Sequence, residues 1–296
     1  MAKLSPGTIV ITASDPDGNQ AVFRLTAAAG TPTLLTSGDK LVTPVGVAID
    51  NNGAVLVADA DAFGGQGGVI RVDPGTGEQT EVASGGLFAN PFDVAVEADG
   101  KILVADPHAQ GSGGVIRVDP ATGAQTMLSS GAEPGATPPR EVGVAVEAKG
   151  SILVIEQSLA GGHMDPNGRV SRIDKKTGAR KVLGSGDLFV SPAGIAVEAN
   201  GGIVVADANA FGGGGGVIRV NAKTGKQTKL ASGGAFVSPF GIVVEDKGTI
   251  VVADSDATGQ GAVIRVDPKT GAQKALANKG KYSGPRGIAV VPPKAS

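Results

Sequence analysis

NPFDVAVEADGKILVADPHAQGSGGVIRV, Asn90 to Val118, is the stretch whose reading decides the fold. A proline leads into a short apolar strand, a polar turn with Gly100 follows, and a second strand ends in Val104-Ala105-Asp106. A glycine-rich loop then leads to a third strand, Val115-Ile116-Arg117-Val118. Close copies recur along most of the chain. The residue in the proline place is Pro44, Pro91, Glu141, Pro192, Pro239 and Pro285, and the third-strand arginine is Arg24, Arg71, Arg117, Arg172, Arg219 and Arg265. Successive arginines lie 47, 46, 55, 47 and 46 residues apart. A repeat of that length, built from short Val/Ile strands and glycine turns, is one four-stranded blade.

The fourth strand follows a turn opened by Asp or Asn and closed by Gly, as in Asp73 to Gly77 and Asp119 to Gly123. Such residues fit a tight connection between antiparallel strands. No segment carries a 3.6-residue apolar period, so essentially no helix is expected. The chain starts inside a blade. Thr8 to Ala13, Val22 to Thr26 and Thr33 to Thr36 read as second, third and fourth strands, and the missing first strand is Gly287-Ile288-Ala289-Val290 near the other end. The spacing therefore predicts one all-β domain over residues 1–296, a six-bladed β-propeller of four-stranded antiparallel blades closed by its C-terminal strand. The blades fall at 285–291 with 8–36, then 44–83, 91–128, 141–183, 192–231 and 239–276. Closure covers the inner edge of the N-terminal blade.

A second period lies over the first. Arg24 and Arg172, Asp59 and Asp207, Phe63 and Phe211, and Asp106 and Asp254 are each 148 apart, which makes the ring a duplicated three-blade half.

Composition narrows the function classes. Of 296 residues, 41% are hydrophobic but only 3% aromatic, without Trp, so the core is aliphatic. The 48 glycines suit an array of tight turns. A net charge of -2 with no long run of one sign gives no footprint for nucleic acid or an acidic membrane. No apolar run reaches the length of a membrane span, so no insertion is expected. The absence of cysteine excludes disulfides, thiolate metal sites and thiol catalysis. Met1-Ala2-Lys3-Leu4 has no apolar core of a signal peptide. A cytoplasmic protein fits this, as does a secreted or periplasmic bacterial one whose leader has been removed. A monomer is expected.

The signature Pro-x-Gly-Val-Ala-Val, a glycine turn and Ile-Val-Val-Ala-Asp, as in Pro239 to Asp254, resembles that of the NHL-repeat six-bladed propellers over nearly the whole chain. It is similar at the same level to gluconolactonase-like hydrolases and streptogramin lyases. The resemblance implies the fold; functions on it include binding modules and enzymes alike. The lyases carry an acid-x-His motif that Asp106-Pro107-His108 resembles, but their second histidine, one blade earlier, is here Asp61. The gluconolactonase-like pattern implies a metal held by Glu, Asn and Asp with a Glu near the N-terminus, and residues 1–20 contain no Glu.

On the face around the channel mouth the repeat places Asp59, Asp106, Glu156, Asp207 and Asp254, with Ala13 in the sixth place. Asp59, Asp106, Asp207 and Asp254 are candidate ligands for Ca²⁺ or another divalent cation, a hard ion that takes several oxygens. Their competing reading is structural pairing with the repeated arginines. Asp50, Glu97, Glu147, Glu198 and Glu245 close the first strand on the opposite face and read as turn or blade-to-blade residues. Breaks in the repeat mark candidate chemistry. Asp93 replaces a glycine seen at Gly46, Gly143, Gly194, Gly241 and Gly287. The only histidines, His108 and His163, fall in equivalent loops of adjacent blades, and with Glu156 they are the candidate general acid–base set. Asp93, Phe63, Phe211, Arg140 and Arg286 are candidate ligand contacts. Phe88, Phe189 and Phe236, with Leu41 and Tyr282, are expected to seal the gaps between blades. Two functions follow: a non-catalytic scaffold binding a small ligand, glycan or protein at the channel mouth, or a metal-assisted hydrolase or lyase working there.

Overall fold

The computed structural model describes residues 4–26, 31–131, 140–160, 163–276 and 280–293, with the side chains of 158–167 excepted. Its strands form six four-stranded antiparallel sheets. Blade 1 holds β1 (Ile9–Ser14), β2 (Gln20–Leu25) and β3 (Pro32–Ser37), completed on its inner side by β24 (Ile288–Val290). The closing register is Ile9↔Val290, Val10↔Ala289 and Ile11↔Ile288. The amide of Gly287 also donates to Thr12 Oγ1 at 2.8 Å.

Blade 2 runs from β4 (Pro44–Ile49) to β7 (Gln79–Ser84), blade 3 from β8 (Asp93–Val96) to β11 (Gln125–Ser130) and blade 4 from β12 (Arg140–Val146) to β15 (Arg180–Ser185). Blade 5 runs from β16 (Pro192–Val197) to β19 (Gln227–Ser232), and blade 6 from β20 (Pro239–Val244) to β23 (Gln273–Ala275).

Second strands such as Ile250–Asp254 are buried at every position. Both of their faces pack against neighbouring blades, so they read as unbroken aliphatic runs rather than alternating ones. The described core divides into six clusters, each joining two adjacent blades. Leu56, Ala58 and Val69 of blade 2 meet Val94, Ile102 and Val104 of blade 3, for instance. Phe88, Phe189, Phe236, Leu41 and Tyr282 are all buried within these seams.

The loops after the second strands hold short turns at Ala62–Gly65, Ala109–Gly111, Ala210–Gly213 and Ala257–Gly259. Each contains a residue in the left-handed region, Phe63, Gln110, Phe211 or Thr258, so none extends into a regular helix.

The arginines do not pair with the second-strand aspartates. Asp106 stands opposite Gly114, and Arg117 opposite Leu103, three residues further along the hairpin. At about 3.3 Å per residue that separates the two side chains by roughly 10 Å. Arg117 instead forms a two-pronged bond with Glu97, at 2.6 and 2.9 Å, and donates to the carbonyl of Lys175 in the next blade at 3.0 Å. Arg172 with Glu147 and Ala222, and Arg219 with Glu198 and Pro268, repeat this latch on the underside. Arg265 pairs with Glu245, and Arg71 with Asp50.

Candidate functional site

The second-strand aspartates are structural clasps. Asp59 is fully buried and accepts four backbone N–H bonds, from Val42, Thr43, Asp61 and Ala62, at 2.8 to 3.1 Å. Asp254 does the same with Val237, Ser238, Asp256 and Ala257, and Asp106 and Asp207 accept equivalent bonds. Each carboxylate ties the loop leading into a blade to the loop leaving its second strand. Burial pushes the Asp59 and Asp207 carboxyls up, against the lowering effect of those amides. With their lone pairs directed at amides, these carboxylates offer little to a cation. Among the described residues no three His, Cys, Asp or Glu side chains converge as a metal site.

Of the candidate acid–base set, the side chains of His108 and Glu156 are described. β9 (Ile102–Asp106) ends at Asp106, so His108 does not continue its face. The His108 amide donates to Asp106 Oδ1 at 2.9 Å and its side chain is exposed. The side chain of His163 lies outside the described residues. Glu156 is fully buried and bound by Arg169, Arg180 and Ser171 Oγ, the last at 2.8 Å.

Glu156 belongs to a network that exists in blade 4 alone. Relative to blades 2, 3, 5 and 6, five repeat positions change there together: Glu141 for proline, Glu156 for Asp, Arg169 for Gly or Ala, Ser171 for Ile and Arg180 for Gln. Glu141 stands opposite Glu156 in the sheet. Arg180 Nη2 lies 2.6 Å from Glu141 Oε1, and its Nε donates to Ser129 Oγ of blade 3 at 2.8 Å. In blades 2, 3, 5 and 6 a glutamine caps the loop from the preceding blade instead; Gln125 Oε1, for instance, accepts from the Leu87 amide at 2.7 Å. Burial, and then the neighbouring Glu156, push the Glu141 carboxyl up, while Arg180 opposes them. Sequence reading placed Glu156 and Glu141 but missed Arg169, Ser171 and Arg180; the signal was the simultaneous loss of five repeat residues in one blade.

Two aromatic rings meet across the axis near the mouth. Phe92 of blade 3 and Phe240 of blade 6 come from opposite blades, and their rings meet with centroids 5.6 Å apart, tilted by 40°. They are 148 residues apart, the spacing of the internal duplication. Beside them the innermost strands leave a small cleft of about 30 Å³ lined by Asp93, Gly194, Gly241, Gly287 and Arg286. That is room for a water or two. Glycines allow this tight approach: a Cβ on Gly287 would stand 2.1 Å from the Val45 carbonyl oxygen. Asp93 breaks the pattern by reaching across the seam. Its Oδ2 accepts from the Val144 amide of blade 4 at 2.9 Å, and its Oδ1 from the Val94 amide at 2.9 Å. Surrounded by protein and without a described cationic partner, its carboxyl is pushed up to about 7, the two amides only partly offsetting desolvation.

Above the phenylalanine pair opens a pocket of about 640 Å³. Phe92, Phe240 and Arg286 are shared between it and the cleft. Ser14, Gln20, Thr43, Ser238, Ser255 and Ser283 supply its polar rim, and Asp256 is the one acid among the described residues that line it. Arg286 is exposed, and among the described residues its guanidinium has no ion pair or hydrogen bond; only its amide is engaged, donating to Thr12 O at 3.0 Å. Phe63 and Phe211 do not line this pocket. They fold back over Gly68 and Gly216 of their own blades, and Lys229 stands over the Phe211 ring at 5.6 Å. Arg140 is half-buried at the start of β12, opposite Gln157.

Solved structures with this architecture share little sequence with the chain. A chain of a nidogen–laminin complex aligns at a TM-score of 0.72, with 16% identity over 96% of this chain and 98% of its own. A gluconolactonase from Xanthomonas campestris gives 0.65 and 16%, over 95% and 88%. Regucalcin from Agrobacterium tumefaciens, described as a calcium-binding protein, gives 0.61 and 20%, over 82% and 77%. What is shared is the six-bladed propeller fold. No family model and no curated protein matches the sequence. The likeness to the NHL-type and gluconolactonase-like propellers therefore holds for architecture, and residue roles have to come from the geometry above.

Proposed function

We propose that this chain is a non-catalytic, monomeric binding scaffold whose site is the mouth pocket, and that it takes a small hydroxylated ligand bearing a carboxylate or phosphate. The observation that carries this reading is Arg286, an exposed guanidinium without a described partner beside an aromatic floor and a rim of hydroxyls. A guanidinium is the side chain that holds an oxyanion with two parallel bonds, and hydroxyls serve a ligand's remaining polar groups. An apolar floor with few convergent polar groups is the common form of a small-molecule site.

The competing reading, a metal-assisted hydrolase or lyase, would need carboxylates and imidazoles free to act. Asp106 and Glu156 are committed to structural partners, and the His108 side chain is exposed in the turn that follows β9. Thermal unfolding with a panel of small carboxylates, phosphates and neutral sugars tests the proposal, since a ligand specific to the folded state raises the melting temperature. An anion should stabilise the wild type by several degrees, stabilise Arg286→Ala not at all, and act equally with EDTA present. Stabilisation that requires Ca²⁺, Mg²⁺ or Zn²⁺ and disappears in Asp93→Asn would favour the enzyme reading instead.

A further inference from the structure

The opposite face carries a larger groove that none of this accounts for. It runs between blades 4 and 5, measures about 1270 Å³, and is lined by Lys149, Lys223, Lys226, Arg172 and Arg219. Arg172 and Arg219 are neutralised by Glu147 and Glu198 in the underside latches. The three lysines are exposed, and among the described residues they make no ion pair or side-chain hydrogen bond. Glu147 and Glu198 also line the groove, each paired with its arginine, and the remaining lining residues are small or uncharged, among them Ala148, Ala199, Gly201 and Gly202.

This local excess belongs to a polarity of the whole ring. Residues 44–131, which build blades 2 and 3, hold eleven acidic and three basic side chains. Residues 140–232, which build blades 4 and 5, hold eight acidic and twelve basic. A net charge of -2 for the chain thus conceals a positive sector beside a strongly negative one. The potential over the groove is set by the near sector, while the far one limits how long an anion can lie there.

We propose that the underside groove between blades 4 and 5 docks a short, acidic polypeptide segment of a protein partner. The three free ammonium groups supply the complementarity, and the groove exceeds the volume of an ordinary small-molecule pocket. A nucleic acid fits worse: no aromatic side chain lines the groove for base stacking, and a long polyanion would run onto the acidic blades. A membrane fits worse too, because the surface is concave and its lining offers no large apolar side chain beyond Val146, Val197 and Val220. Within the groove the lysines would steer association and set register.

Fluorescence anisotropy with a labelled octapeptide of alternating glutamate and alanine tests this, with the lysine–alanine octapeptide and a single-stranded oligonucleotide as competitors. The acidic peptide should bind, weaken about tenfold or more between low and physiological salt, and lose at least tenfold in affinity in K149E/K223E/K226E. All three positions are exposed, and an unchanged melting temperature would show that the variant is folded. Lys247→Glu, outside the groove, should bind like the wild type. Equal binding by the triple variant, or tighter binding of the oligonucleotide than of the peptide, would overturn the proposal. So would concentration-dependent dimerisation in sedimentation that the triple variant abolishes, because the groove would then be occupied by a second copy. The mouth-pocket ligand test with Arg286→Ala is independent of every one of these outcomes.

Discussion

Phe92 and Phe240, drawn from opposite blades, touch across the axis and line both the mouth pocket and the small cleft beside them. Both rings are only half-buried, so their contact is worth less than that of a core pair. Phe240→Ala should lower stability by about 1–3 kcal/mol, below the usual range for a buried Phe, and should join pocket and cleft into one cavity. Urea unfolding checks the first effect. A changed size preference among the stabilising anions checks the second.

Asp93 makes stability depend on pH. Its carboxyl titrates near 7 in the folded chain and near 3.8 when unexposed to that environment, so the folded state holds a proton that the unfolded state releases. The stability is therefore full below about pH 4 and declines as pH rises toward 7, by on the order of a few kcal/mol, with no further loss above. Glu141, also raised, adds a slope of the same sign. Asp93→Gly, which restores the repeat residue, should flatten the dependence between pH 5 and pH 8 without abolishing it. Denaturant midpoints at the two pH values measure the difference.

The charged network of blade 4 should behave as a unit. Arg180→Gln would leave Glu141 and Glu156 buried face to face with Arg169 alone, and should cost about 3–5 kcal/mol, as breaking a buried ion pair does. The variant E141P/E156D/R169G/S171I/R180Q, which writes the repeat residues back, should recover at least wild-type stability. A quintuple variant less stable than the wild type would show that the network, not the repeat, is the better packing for this seam.

The closing strand passes close to the inner strand of blade 2 at Gly287. A methyl group on Gly287 would collide with the Val45 carbonyl and crowd Thr12 Oγ1 at 2.9 Å. Gly287→Ala should therefore destabilise by more than about 2 kcal/mol, and removal of residues 284–296 should expose the inner edge of β1 and cause aggregation. Size-exclusion chromatography and thermal unfolding test the two variants side by side.

The architecture was legible because each blade repeats its own strand signals, and the position of Ile288-Ala289-Val290 announced the closing strand. The 148-residue period even held the Phe92–Phe240 contact, though a period does not say which side chains face the axis. The partner of the arginines was misread for a reason of register. Asp106 and Arg117 sit in neighbouring strands, but the hairpin sets Asp106 against Gly114, and the acid beside Arg117 arrives from the first strand, as Glu97. The blade 4 network was harder still. Its buried charges are readable only as a set, since Arg180 alone looks like one more surface cation. Arg286 was visible as a residue, but its freedom depends on what the loops around it leave unpaired.

Since β24 runs antiparallel to β1, Val290 lies beside Ile9 at the end of the shared ladder where both strands leave the sheet. Tension applied through the flanking segments would load these bonds one at a time from that end, as in peeling tape, instead of shearing the strand pair together. Stretched by its two tails, the ring should give way first at this seam and at modest force, while the five blades made of unbroken chain keep their shape.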